Sequence, residues 1–291
     1  MNAPEPVLAF DPRLELGESP VWDERTRTLL AVDILGGTIV RFDPDRSTTE
    51  LVATLNGLVG AVALRREDGL VAAVDTSVVL LDAELRSTVV AETPDAAGLR
   101  FNDGACDPQG RFWVGTMALD ESPGRGTLYR YDERGLAPMV SPVSISNGID
   151  WSVDGTRMIY ADSTSRRIDV FAFDPEDGSV SDRRTFVDLG AGDVSVPDGL
   201  AVDAEDHVWV ALWDGWAVHR YTPDGALDRV VKLPVARPTS CAFGGGDLGD
   251  LYITSARTGL TPDALAAQPG AGGVFVLRPD VRGRPPNRFA G

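Results

Sequence analysis

One phrase occurs six times along this chain, and its period constrains the fold more than any other feature. It is a turn followed by a short apolar strand, usually ending in a small or polar residue: RTLLAVD (27–33), GLVAAVD (69–75), RFWVGT (111–116), RMIYAD (157–162), HVWVAL (207–212) and DLYITS (250–255). Its last residues, Asp33, Asp75, Thr116, Asp162, Leu212 and Ser255, are spaced by 42, 41, 46, 50 and 43. A period of about 40–50 residues is that of a four-stranded propeller blade.

The flanking segments fit a blade. A second strand follows each phrase: TIVRFD (38–43), SVVLLD (77–82), TLYRYD (127–132), RIDVFAFD (167–174), AVHRYTPDG (217–225) and GVFVLRP (273–279). A third follows in four units, at 49–55, 86–92, 183–189 and 227–233. Before each phrase lies a run of small residues: ESPVWD (18–23), GAVALR (60–65), NDGACD (102–107), NGIDWS (147–152), DGLAVD (198–203) and TSCAFG (239–244). Small residues suit the innermost strand, where blades crowd the axis. The expected fold is all-β: one six-bladed β-propeller domain over 1–291, with four antiparallel strands per blade. The sixth unit lacks a fourth strand, and PVLAFD (6–11) is expected to supply it and close the ring, removing a pairable edge. A two-domain division finds no linker; AAQPGAGG (266–273) falls inside the last repeat.

Composition narrows the function. Against 44 Asp+Glu stand 27 Lys+Arg, a formal charge of −17. That argues against a nucleic-acid partner and against an anionic membrane surface. No apolar run approaches a spanning helix. MNAPEPVLAF has no basic stretch followed by an apolar one, so no secretory signal is read and a cytoplasmic protein is expected. Cys106 and Cys241 are expected to be free thiols. A catalytic triad or His-rich zinc site would have to use His207 or His219, which fall at the far face and in mid-blade.

Strand alternation turns spacing into geometry. Inner strands run from one mouth of the channel to the other and the next strand returns. The residues that begin inner strands therefore gather at one mouth: Glu18, Gly60, Asn102–Asp103, Asn147, Asp198 and Thr239–Ser240. Four blades place a carboxylate or carboxamide there, a set of oxygen donors suited to a cation. Read alone, SNG, NDG and PDG are tight-turn sequences; their shared phase favours a site. Trp22, Trp113, Trp151 and Trp209 read as blade packing. Trp213 and Trp216 follow the fifth phrase and fall at the mouth, as do the long loops 117–126 and 256–273.

LGESPVWD (16–23), RFNDGACDPQGRFWVGTM (100–117), ISNGIDWSVDG (145–155), VPDGLAVDAEDHVWVALW (196–213) and LYITSARTGL (251–260) resemble the regucalcin (senescence marker protein)–gluconolactonase–luciferin-regenerating family, in order, across roughly residues 16 to 280. The resemblance implies a six-bladed propeller that hydrolyses sugar lactones, of the gluconolactone or xylonolactone kind, with one divalent cation. It implies metal ligands at Glu18, Asn147 and Asp198, with Asp198 also the catalytic base, and substrate contacts from Arg100, Asn102 and an acidic residue that best matches Asp120, with Glu121 left open. Asp103 is a second candidate base. Ser19 departs from the family, where many relatives carry Gly. The cation is one of Ca²⁺, Zn²⁺, Mn²⁺, Mg²⁺ or Fe²⁺, and the only partner implied is a small sugar lactone; a closed propeller can be monomeric. The competing readings are an esterase or lactonase for a non-sugar cyclic ester and a non-enzymatic calcium-binding propeller.

Overall fold

The computed structural model describes residues 5–94, 96–190, 192 and 194–291; the first four residues of the N-terminal stretch lie outside these. Six four-stranded antiparallel sheets form the blades of a β-propeller. The inner strands are Gly17–Asp23, Val59–Leu64, Leu99–Cys106, Ser146–Trp151, Val196–Val202 and Pro238–Gly244. In the sixth blade the strand Val7–Phe10 lies outermost, paired with Val274–Leu277. The N-terminal strand thus closes the ring, as expected. Alternating apolar residues of neighbouring blades form the core, with Trp113, Trp151 and Trp209 fully buried between them.

Two devices recur, one at each end of the blades. At the end opposite the mouth, which we call the floor, Asp107 accepts from the Trp113 indole at 2.9 Å, and Asp203 does the same for Trp209 at 2.9 Å. Each Asp also takes the backbone amides of its own turn, so one carboxylate pins both turn and tryptophan. At the mouth, the Asp ending the repeated phrase reaches the chain entering the inner strand. Asp33 accepts from Glu15 and Leu16 amides, Asp162 from Ser144 and Ile145, and Asp75 from Leu58. In all three blades the anchored stretch stops two residues before a mouth position: Glu18, Asn147 and Gly60. The recurrent Val-Asp or Ala-Asp thus sets where site residues fall.

Blade three, for which the sequence shows no third strand after the phrase, has one at Gly135–Val143. Pro138 and Pro142 disguise it, and both are tolerated because the strand is outermost and its far side needs no ladder bonds.

The C-terminal segment forms an unanticipated strap over the floor. Arg282 and Gly283 bond blades five and six, through Ala204 and Leu248. The Arg284 guanidinium donates to the Trp151 carbonyl (2.7 Å), to Asp150 and to the Val202 carbonyl. Asn287 donates to the Cys106 carbonyl, and Arg288 to Asp23 and Glu24. Phe289 pairs with Leu64 and Arg66, and Ala290 donates to Gly110. The segment 282–290 therefore touches all six blades and closes the channel from below.

Candidate functional site

Each mouth residue sits at an irregularity in its inner strand. Pairing with the second strand slips between Glu18 and Val21, Phe101 and Asp103, Ser146 and Ile149, and Pro197 and Leu200, with matching slips in the other two blades. A bulge frees residues from the ladder and re-aims them. The Asn-Gly and Asp-Gly pairs are therefore parts of bulged strands, not turns. Their glycines are needed for close approach: a Cβ on Gly148 would lie 2.6 Å from the Asp198 carbonyl oxygen, and one on Gly199 would lie 2.1 Å from the Ser240 hydroxyl. In the first blade Ser19 takes the left-handed conformation, with φ 48°. Its hydroxyl accepts from the Val62 amide at 3.1 Å, and its own amide donates to Glu18 at 2.7 Å. Ser19 thus holds, through hydrogen bonds, a conformation that favours glycine.

Glu18, Asn147 and Asp198 come together. All three are buried, at 4–5% exposure. Glu18 and Asn147 lie close enough to Asp198 to act on its carboxyl. The Asn147 amide nitrogen donates to the Ser163 hydroxyl at 2.9 Å, and that hydroxyl donates to the Pro197 carbonyl at 2.8 Å. This relay holds the amide while its Oδ1 is buried with no hydrogen-bond partner. Ser163 is not legible as a site residue in the sequence; its only signal is its place directly after the anchor Asp162.

Arg100, Asn102 and Asp103 line the same mouth from blade three. Phe101, between them, is fully buried in the blade core. Asn102 donates to the Ser146 carbonyl at 2.8 Å, leaving its own Oδ1 uncommitted by that bond. Arg100 donates to the Phe101 carbonyl at 3.0 Å. The two acidic candidates beyond GTM diverge. Asp120 accepts from the Ser122 amide and is exposed, whereas the Glu121 charge acts on Arg100.

Electrostatics tie the group together. Burial, then the charges of Asp198 and Asp103, push Glu18 well above the usual carboxylate range. Burial, then the Asp103 charge, raises Asp198 likewise. Burial lifts Asp103 to about 7 and lowers Arg100 to about 10, the latter despite the favourable charges of Glu18, Glu121 and Asp198. Three carboxylates against one guanidinium leave two uncompensated negative charges in a buried place, an arrangement that favours protonation or a bound cation. Among the described residues, no three His, Cys, Asp or Glu side chains converge closely enough to hold a metal by themselves. The Asn147 amide could complete an oxygen-donor set with two of the carboxylates. The unpaired Oδ1 and the charge deficit fit that group.

Below the site lies a cavity of about 140 Å³ in the channel. Ser19, Asp103, Cys106 and Cys241 line it, and Arg284 and Asn287 of the strap form its base. Both cysteines are free and buried. No helix among the described residues is long and apolar enough to cross a membrane. The 256–273 loop carries one helical turn, Pro262–Ala267, capped by Thr261; the Thr-Pro-Asp order is a start signal that reveals it.

A model described as the SMP-30/Gluconolactonase/LRE-like region matches residues 16–257. Regucalcin of Oryctolagus cuniculus is 40% identical over 285 residues, covering 94% of this chain and 95% of that protein. Among solved structures, a calcium-binding protein, regucalcin, from Agrobacterium tumefaciens matches with TM-score 0.93 at 30% identity, over 99% of this chain and 97% of its own. A luciferin-regenerating enzyme matches with TM-score 0.90 at 28% identity, over 98% of this chain and 100% of its own. The fold and these matches agree: the chain belongs to the SMP-30/gluconolactonase/LRE-like family.

Proposed function

We propose that this protein hydrolyses a sugar-acid lactone, of the gluconolactone or xylonolactone kind, to the aldonic acid, with one divalent cation held by Glu18, Asn147 and Asp198. The carrying observation is the buried, unpaired Asn147 Oδ1 beside two carboxylates that burial disfavours as anions. A cation bound there supplies Lewis acidity toward the lactone carbonyl and lowers the pKa of water. Its identity among Ca²⁺, Zn²⁺, Mn²⁺, Mg²⁺ and Fe²⁺ is open to a mixed oxygen-donor set.

The chain's own residues do the rest. Opening a lactone adds water oxygen to the carbonyl carbon and breaks the ring C–O bond; the proton lost by water ends on the departing ring oxygen. Asp198 takes that proton and returns it. Asp103 is the second candidate, because a carboxyl held near 7 is matched to proton transfer at neutral pH. Arg100 and the free Oδ1 of Asn102 hold sugar hydroxyls and orient the ring. Asp120 is proposed as a further hydroxyl acceptor, with Glu121 its competitor through its proximity to Arg100. A closed site suits a small substrate and a monomer. The acidic surface disfavours nucleic acid and anionic membrane, and free buried thiols suit a reducing cytoplasm.

A calcium-binding propeller without hydrolysis is the alternative, suggested by the likeness to the calcium-binding regucalcin of Agrobacterium tumefaciens. The buried Arg100 argues against it, since a cation store gains nothing from a guanidinium beside its ligands. The test is acid release from a panel of five- and six-membered aldonolactones and simple aliphatic lactones. Hydrolysis of the sugar lactones above the spontaneous rate supports the proposal; calcium binding with no hydrolysis of any lactone replaces it with the alternative.

A further inference from the structure

We propose that Ser163 is a positioning residue of the lactone site: its hydroxyl fixes which end of the Asn147 amide is left for the cation. This rests on the lactonase reading above. Ser163 follows the anchor Asp162 and opens a one-turn 3-10 helix, Ser163–Ser165. It is buried, at 4% exposure. Asp162 pairs with Ser146, and the Ser163 amide donates to the Ile145 carbonyl. The Ser163 backbone is therefore held against the start of the inner strand that carries Asn147.

The two ends of a carboxamide have nearly the same shape, so packing alone does not choose between them. Hydrogen-bond polarity does. A hydroxyl has one proton to give. That of Ser163 goes to the Pro197 carbonyl, which can only accept, 2.8 Å away. Toward Asn147, at 2.9 Å, the same oxygen is then an acceptor, and only Nδ2 can donate to it. A flipped amide would set acceptor against acceptor, or draw the proton away from Pro197; either leaves a buried polar group unpaired. Oδ1 is thus the end left over, buried and without a hydrogen-bond partner. Pro197 directly precedes Asp198, so one hydroxyl ties the side chain of one candidate ligand to the backbone of another. The carbonyls ahead of the other two candidate ligands are held in a similar way. Asn102 donates to the carbonyl of Ser146, before Asn147, and Thr239 to that of Gly17, before Glu18. In each case the donor belongs to the preceding blade of the ring. Of these three donors, Ser163 also holds the side chain of a candidate ligand.

The experiment titrates cation-free protein calorimetrically with whichever of Ca²⁺, Zn²⁺, Mn²⁺, Mg²⁺ and Fe²⁺ wild type binds most tightly. It compares wild type, Ser163→Ala, Ser163→Cys and Ser163→Thr, and repeats Ser163→Ala in an Asn147→Asp background, with circular dichroism and lactone hydrolysis of each. Ser163→Ala is expected to bind the cation about 10- to 100-fold more weakly, the usual loss when the partner that orients a metal ligand is removed. Ser163→Cys keeps the size but offers a weak acceptor, so it should weaken binding too, and it serves if the alanine variant does not fold. Ser163→Thr keeps the hydroxyl and should restore binding to within about threefold of wild type. Both ends of the side chain made by Asn147→Asp are oxygens, so no orientation has to be chosen. In that background Ser163→Ala should cost less than about threefold, whereas a merely structural role would cost the same in both. A folded Ser163→Ala with unchanged cation affinity, or an equal loss in both backgrounds, overturns the role of Ser163 alone. A wild type that binds none of the five cations overturns the cation site and this role with it. A wild type that binds a cation and hydrolyses no sugar lactone overturns the lactonase reading, while the titrations still decide the role of Ser163.

Discussion

Chelation of divalent cations is expected to make the folded protein less stable as pH rises from 5 to 8. Burial holds the Asp103 carboxyl up at about 7, against 3.8 for an ordinary one, and Glu18 and Asp198 are raised by burial and by neighbouring charge. The folded state therefore keeps protons that the unfolded chain releases near pH 4. Stability from these groups is whole below that pH and is lost as pH climbs through about 7. At ~1.4 kcal/mol per pH unit, Asp103 alone amounts to about 4 kcal/mol, or ~10 °C in Tm for a chain of this length. The acid limb is separate: hydrogen bonds from Ser152 and Thr156 hold Asp154 at about 2, so its contribution fades only below pH 4. The assay is Tm against pH in chelator and in saturating Ca²⁺, for wild type and Asp103→Asn. The amide keeps an acceptor for the Gly104 amide, 2.7 Å away, but carries no charge. Chelated wild type should lose Tm with rising pH, the cation should abolish most of the loss, and Asp103→Asn should flatten it. Parallel slopes in chelated wild type and variant would refute the reasoning, because general repulsion from the −17 charge would then suffice.

Asn147→Ala and Asp198→Ala should each lower lactone hydrolysis at least about a hundredfold at saturating cation, with the fold kept by circular dichroism; loss of the Asn147–Ser163 bond costs only ~1 kcal/mol. Retained activity in either counts against the ligand assignment. Arg100→Ala should keep its bound cation and lose about 30- to 100-fold in kcat/KM, from ~2–3 kcal/mol for charged hydrogen bonds; loss of the cation instead would mean that Arg100 supports the ligands. Arg284→Ala, at the opposite end, should cost about 2 kcal/mol in chemical unfolding, because it strips the strap from blades four and five, yet leave kcat/KM unchanged.

What was legible in the sequence follows from what repeats. The six anchors sit at one phase because each marks the same bend, and three of them, Asp33, Asp75 and Asp162, make the same bonds to the entering chain. Glu18, Asn102, Asn147 and Asp198 were visible because each falls 14 or 15 residues before the anchor of its unit. Features belonging to one blade were hidden. The outer strand Gly135–Val143 carries prolines that read as breaks. The strap is non-repetitive, and its bonds connect Arg284 with residues more than eighty positions away, which no local pattern records. The sequence marked Trp213 and Trp216 alike as rim residues; the structure stacks Arg237 on the first and leaves the second exposed.

The most direct measurement titrates the cation-free protein with one divalent cation while bound metal and lactone hydrolysis are read in the same samples. Activity should rise in proportion to occupancy and level off at one cation per chain. Full hydrolysis by the cation-free protein, or none at full occupancy across the sugar-lactone panel, would contradict the account.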